Sequence, residues 1–263
     1  MLTRALKMAF WVLYDHLGKL LLAGMIWGIL VVAPAAFAIS ALLSSDPGVR
    51  LLIGIPATLF CILIPLPAVS IGILHMAREL IDTRDGSIRA LFTGMRLYAW
   101  RAIRLGALGS LILTALIFSA WFYAVQLSGA LPLLGYGLSI LALWVAVFVA
   151  LTVPFAFAAL VQKREGVIAS AKLGALLVLD NPILAVGLAV QLAALTLVSV
   201  AAPPIMFFLF GSMAAVLISS AYEMLSRKYE RIRGERNDTL KEEAETDDYL
   251  NRGFRDFLFP WKG

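Results

Sequence analysis

Residues Ala130–Val161 read ALPLLGYGLSILALWVAVFVALTVPFAFAALV, an unbroken run without Asp, Glu, Lys or Arg. About 20 apolar residues suffice to carry an α-helix across the hydrocarbon of a bilayer. Transmembrane strands would alternate polar and apolar residues, and this run does not. Uncharged runs recur at Leu20–Leu43, Leu51–Leu74, Leu105–Leu127, Ile183–Ala202 and Ile205–Ser220. The last is short but continues helically into Ala221–Leu225. Of the 263 residues, 61% are hydrophobic and 15% are charged, against roughly 25% charged in a soluble domain. One soluble core of this size does not hide so much apolar surface.

The expected architecture is therefore all-α: a polytopic transmembrane helical bundle of about six spans, near 20–43, 51–80, 104–127, 133–161, 183–202 and 204–224. Charge sets its orientation. Lys and Arg cluster before the first span, between the second and third, between the fourth and fifth, and after the sixth. Of the 22 Lys and Arg, only Arg50 falls in a connection on the opposite side. Basic residues are retained in the cytoplasm, so both ends are expected inside (N-in/C-in). The net charge of +5 thus reports membrane topology, not nucleic-acid binding. Arg4 and Lys7 ahead of an apolar run, with Ala36-Phe37-Ala38 beyond it, mimic a signal peptide. The run is too long for one and a second span follows closely, so it is read as a retained helix. The single cysteine, Cys61, has no intrachain partner.

The second span holds Pro56, Pro65 and Pro67. Two readings fit it: one kinked helix, or a re-entrant piece followed by a span. Residues 88–104 place Ile88, Leu91, Phe92, Met95 and Ala99 at helical spacing, with Arg89 and Arg96 on another face. This suits either an amphipathic helix in the cytoplasmic interface or an extension of the third span. A similar segment recurs 80 residues later, where Arg84, Gly86, Ile88, Gly94 and Leu97 meet Arg164, Gly166, Ile168, Gly174 and Leu177. Arg4-Ala5-Leu6 offers a fainter third copy. Three units of amphipathic helix, span, span would follow. Gly24 and Gly28 form a GxxxG, and Ala142, Ala146 and Ala150 form a small-residue stripe, as do Gly211, Ala215 and Ser219. These are packing faces, between helices or between copies.

The sequence splits into a membrane domain over 1–225 and a charged cytoplasmic tail over 226–263. In the tail, Glu242–Asp248 is acidic and reads as solvated. Phe254, Phe257, Leu258, Phe259 and Trp261 beside Arg252, Arg255 and Lys262 form a terminal aromatic amphipathic segment, suited to a membrane interface or a partner.

Chemistry-bearing residues are few. Asp15, His16, Lys19, His75, Arg78, Glu79, Asp180, Asn181 and Glu223 collect at the cytoplasmic ends of the expected spans as a candidate polar cluster. His75 and Glu79 share a helix face. They have the types for a metal or a proton-transfer pair, without an HExxH or paired-cysteine signature. No nucleophile elbow or phosphate loop appears. No ionisable residue stands near the centre of an expected span, where such groups mark ion coupling. Gln191 is the candidate intramembrane polar site, able to bond another helix or a solute hydroxyl. No catalytic residue, cofactor or metal ligand is expected.

Three stretches carry a family resemblance. Phe10-Trp11-x-x-Tyr14-Asp15-x-Leu17-Gly18-Lys19-Leu20 resembles the opening of the YesL family, bacterial membrane proteins built on a domain of unknown function. Pro67-Ala68, Ala77-Arg78-Glu79-Leu80 and Asp85-Gly86-Ser87 resemble its turn after the second span. Arg164-x-Gly166 leading to Asn181-Pro182 resembles its later cytoplasmic segment. The likeness covers most of residues 5–225 and departs at Pro65. It implies the bacterial cytoplasmic (inner) membrane. It also implies a non-enzymatic accessory or assembly role, associated with a carbohydrate-uptake system. The alternative is a small-solute, sugar-like transporter with a cavity near Gln191. A membrane enzyme built on His75 and Glu79 is the third reading. The partners implied are the lipid bilayer and a membrane protein or a second copy.

Overall fold

The computed structural model describes residues 1–84, 86–163, 166–234 and 247–252. Helix is the only regular structure among them. The first helix, α1 (Leu2–Asp15), buries Ala5, Met8, Ala9 and Val12, the spacing of one helical face. It ends at His16, whose φ of −117° and ψ of 22° leave the helical region. The chain then continues as α2 (Leu17–Leu42), with a π-helical turn at Gly28–Val32.

Pro47 opens α3 (Pro47–Thr83), and the Asp46 carboxylate accepts the Gly48 amide at 2.8 Å as its cap. Of the two readings of this region, the structure takes one kinked helix. Ile64, at φ −115° and ψ −72°, marks the kink, immediately before Pro65. Arg84 ends α3 in the left-handed region at φ 60°. The following helix, α4 (Ile88–Leu127), covers 40 residues with a π-helical turn at Tyr123–Leu127. At 1.5 Å per residue it is about 60 Å long, twice the hydrocarbon thickness. Its first half is thus an extension of the span, and the separate interfacial helix over 88–104 does not occur. Hydrophobic period is identical in both arrangements, so it does not distinguish them.

The fourth long helix, α5 (Pro132–Lys163), carries Pro154 inside. Then come α6 (Val167–Asp180), α7 (Pro182–Ala201), α8 (Pro203–Phe208), α9 (Phe210–Ile232) and the short α10 (Asp248–Asn251). By length and apolarity α2, α3, α4, α5 and α7 are able to cross a membrane, as in a multi-pass membrane protein. The region expected as a sixth span, 204–224, is divided at Leu209 (φ −128°) into α8 and α9. Charged residues from Glu223 onward dilute the apolar character of α9.

The small-residue motifs pack within the chain. A Cβ added at Gly24 would stand 1.7 Å from the Phe208 carbonyl oxygen, and one at Gly28 would stand 2.3 Å from that of Phe207. The GxxxG of α2 is therefore the seat of α8. Ala142 and Ala146 are buried, while Ala150 is exposed. Nearby, the Ser139 hydroxyl donates to the Ala120 carbonyl of α4 at 2.9 Å.

Packing follows the three-unit plan. The start of α4 packs on the end of α3, α6 packs on the end of α5, and α1 packs on α9. Each leading amphipathic segment lies against the last helix of the preceding unit, and α1 closes the ring. Gly94 approaches His75 and Gly174 approaches Ala156, leaving 2.5 Å and 2.8 Å for an added Cβ. These two glycines are the pair matched by the 80-residue offset.

Burial is concentrated where these segments meet, at Ala5–Val12, Val69–Ile81, Ala90–Leu105, Phe155–Val161 and Ala215–Leu225. The rest of the bundle is open. Only 11% of the most apolar stretch of α4 is buried, as suits helices facing lipid.

Candidate functional site

The polar residues gather at the end of the bundle where α1, the α3–α4 turn and α9 meet α10. Two acids of the tail fasten it. Arg227 on α9 sits between Glu223, at 2.7 Å, and Asp247, at 2.5 Å. Burial alone lowers the Arg227 pKa, but the hydrogen bonds and charges of Glu223 and Asp247 outweigh it and hold the pKa above its ordinary value. Asp248 accepts from Arg84 at 2.8 Å, and Arg252 reaches Asp15 on α1 at 2.5 Å. Lys7 donates to the Leu250 carbonyl at 2.6 Å.

Between these bonds Tyr249 and Leu250 are 3% and 5% exposed. The Arg84 and Arg252 guanidiniums lie 5.3 and 5.7 Å from the Tyr249 ring centroid, at cation–π distance. Its hydroxyl stands 3.4 Å from His16 Nε2. The reading of Glu242–Asp248 as solvated thus fails at Asp247, which is paired and largely buried. Residues 242–246 lie outside the described residues, as does the aromatic segment after Arg252.

The sequence-predicted cluster resolves into separate links. Asp15 and His16 bind the tail. His75 is buried, with Nε2 3.3 Å from Glu79 and its ring edge-on to Tyr98. Arg78 donates to the Val161 carbonyl at 3.0 Å, capping the end of α5, and pairs with Asp82 at 3.1 Å. Asp180 accepts from Lys228 at 3.1 Å and from the Tyr229 hydroxyl, while Asn181 donates to Tyr229 at 2.9 Å. The Tyr229 and then the Lys228 hydrogen bonds hold the Asp180 carboxyl below its usual value. Lys19 is half-buried in the first turn of α2. Among the described residues no three of His, Cys, Asp or Glu converge as metal ligands.

Two cavities stand out. A groove of about 350 Å³ runs between the ends of α5, α6 and α9, walled by Leu173, Leu177 and Leu225 and flanked by Lys163 and Arg233. The second, about 260 Å³, lies between α3, α4 and α5 beside Pro67 and Pro154, with Ser70 and Ser110 in an apolar lining. Trp27 Nε1 donates to Ser70 at 3.2 Å. Gln191 lines neither cavity. It is half-buried on α7.

Sequence reasoning missed the docked segment at 247–252. Its signal was local: Asp247 caps α10 by accepting the Tyr249 amide at 2.9 Å, just ahead of an apolar pair in a charged tail. No protein-family model matches the chain, and no curated protein or solved structure matches it either.

Proposed function

We propose that this chain is a non-enzymatic accessory or assembly protein of a bacterial cytoplasmic membrane. In this reading it has six crossings, with α8 and α9 forming the sixth, and both ends in the cytoplasm. The observation that carries the reading is the docked tail. Lys7 and Asp15 near the start of the chain bind Leu250 and Arg252 near its end, and two ends on one side require an even number of crossings. The charge pattern favours the cytoplasm as that side.

The polar groups of this end are engaged in holding helices together. Arg78 caps α5, Asp180 binds α9, and Asp15 and Arg84 hold the tail. Such an end is a rigid platform. Together with the YesL resemblance, it favours association with a membrane complex, such as a carbohydrate-uptake system. Affinity purification from native membranes in mild detergent tests this. A stoichiometric membrane partner is expected, and recovery of the protein alone under conditions that preserve transporter complexes refutes it.

Topology has its own test. In a Cys61→Ala background, Ser45→Cys is expected to react with an impermeant maleimide in intact cells. Ser87→Cys is expected to react only after permeabilisation.

The second reading is a small-solute transporter. The cavity beside Pro67 and Pro154 favours it, because proline-interrupted helices line substrate sites in transporters. Solute uptake into proteoliposomes that Gln191→Leu abolishes would support the version centred on Gln191. Loss on blocking the cavity with Ser110→Leu would support the version centred there.

A further inference from the structure

We infer that the site holding 247–252 is a docking site for an acidic, aromatic peptide segment of another protein, and that the chain's own tail sits in it as an occluding ligand. That the other protein lies in the membrane rests on the accessory reading above. The chemistry of its segment is read from the tail itself. The tail offers two adjacent acids, then an aromatic and an aliphatic residue, then a base two positions on: Asp247-Asp248-Tyr249-Leu250-x-Arg252.

The groups that receive it all belong to other elements. Arg227 of α9 takes Asp247, and Arg84 at the end of α3 takes Asp248. Asp15 and the Trp11 ring, both on α1, take Arg252, whose guanidinium lies 5.3 Å from the Trp11 ring centroid. Lys7, also on α1, holds the segment's backbone at the Leu250 carbonyl. Tyr249 and Leu250 are buried between these ends. Because α1 packs directly on α9, the walls of the site are joined by contacts of their own.

The segment has no such support. Its helix, α10, is four residues long, and an isolated turn is unstable in water. Its shape is imposed by the site, as in a peptide that folds on binding. What the site recognises is therefore a pattern of charges around an apolar pair, and a second chain with that pattern fits it. Residues 235–246 tether the tail to α9 and raise its local concentration, so the tail is the resident occupant. A partner held in the same bilayer gains a similar advantage. An anionic lipid headgroup would satisfy Arg84 and Arg227, but it would be repelled by Asp15 and would leave the places of Tyr249 and Leu250 unfilled.

The test uses the full chain in detergent and a fluorescent peptide of residues 247–252, titrated into the millimolar range and read by anisotropy. Tyr249→Ala/Leu250→Ala removes the tail's buried pair and opens the site. That variant is expected to bind the peptide at least about tenfold more tightly than wild type, since occupancy by the tail weakens apparent affinity by the fraction left open. Peptides carrying Asp247→Asn/Asp248→Asn or Tyr249→Ala are expected to lose this binding. No binding by the opened variant would overturn the inference, as would equal binding by wild type and variant or equal binding of all three peptides. In native membranes, the co-purifying partner is expected to be enriched on the opened variant and displaced by excess peptide. A partner recovered equally from both chains and unmoved by peptide would overturn the docking site and leave the accessory reading standing. Specific peptide binding without any membrane partner would uphold the docking site and refute the accessory reading.

Discussion

Arg227 and Asp247, twenty residues apart, form a 2.5 Å ion pair in which both side chains are largely buried. Glu223 completes the set from one turn below. The guanidinium thus balances two carboxylates, and α10 is held to α9 by charge as well as by Tyr249 and Leu250.

Arg227→Ala leaves both acids without their cation. Breaking a buried pair by removing one partner costs about 3–5 kcal/mol, more than so short a docked segment is able to contribute. Release of 247–252 is the expected outcome, with little change in the membrane helices. Hydrogen exchange at the Tyr249 and Leu250 amides should approach the unprotected rate. Protection equal to wild type would show that the apolar contacts suffice without the ion pair.

Gly24 and Gly137 make a contrasting pair. A methyl at Gly24 would overlap the Phe208 carbonyl, whereas nothing lies within 4 Å of one at Gly137. Overpacking costs about 1–3 kcal/mol, so Gly24→Ala should lower the midpoint of thermal unfolding in detergent. Gly137→Ala should hold or raise it, because Ala in a helix is favoured over Gly by roughly 0.5–1 kcal/mol. If oligomerisation were the purpose of Gly24 and Gly28, Gly24→Ala would change the mass of the particle and spare its midpoint.

Arg78 links the end of α3 to the end of α5. Its guanidinium donates to the Val161 carbonyl at 3.0 Å and pairs with Asp82 at 3.1 Å, and a cation also complements the helix C-terminus. Lys lacks the planar fork that serves two partners. Arg78→Lys should therefore fray the last turn of α5 at a cost of about 1.5–3 kcal/mol, the value of a hydrogen bond to a charged group. Faster exchange of the Leu160 and Val161 amides would register it. Unchanged exchange would mean Asp82 is the partner that matters.

Much of this fold was legible because proline and charge mark its boundaries. Pro47, Pro132, Pro182 and Pro203 each open a helix where the uncharged runs begin. The 80-residue recurrence also reached the packing, through Gly94 and Gly174. Three things were not legible, for physical reasons. Continuity through residue 104 leaves no mark, since an amphipathic extension and a separate amphipathic helix share one period. The partner of Gly24 is a carbonyl nearly two hundred residues away, and small-residue spacing does not say whose backbone approaches. At the site, Asp15, His16 and Glu223 lie together at one end of the bundle, beside the docked segment. Their organising partner, Asp247–Arg252, sits in a tail whose composition is that of solvated chain. Burial there is decided by Tyr249, Leu250 and the Arg227–Asp247 ion pair.

The same segment should respond to alkali. Burial first, and then the charge of Asp15, raise the Tyr249 phenol above its ordinary value, against the opposing pull of Arg84 and Arg252. A group whose pKa rises on docking favours the docked state while protonated. Its contribution is complete below the undocked value of about 10 and is lost as pH rises through the docked one. A spin label at Asn251→Cys, in a Cys61→Ala background, should therefore stay immobile at neutral pH and gain mobility above pH of about 10. Tyr249→Phe keeps the ring beside Arg84 and Arg252 and removes the ionisable hydroxyl. The label in that variant should remain immobile through the same range. Equal mobilisation in both would assign the release to another group, with Tyr229, whose pKa is also raised by burial, as the next to replace.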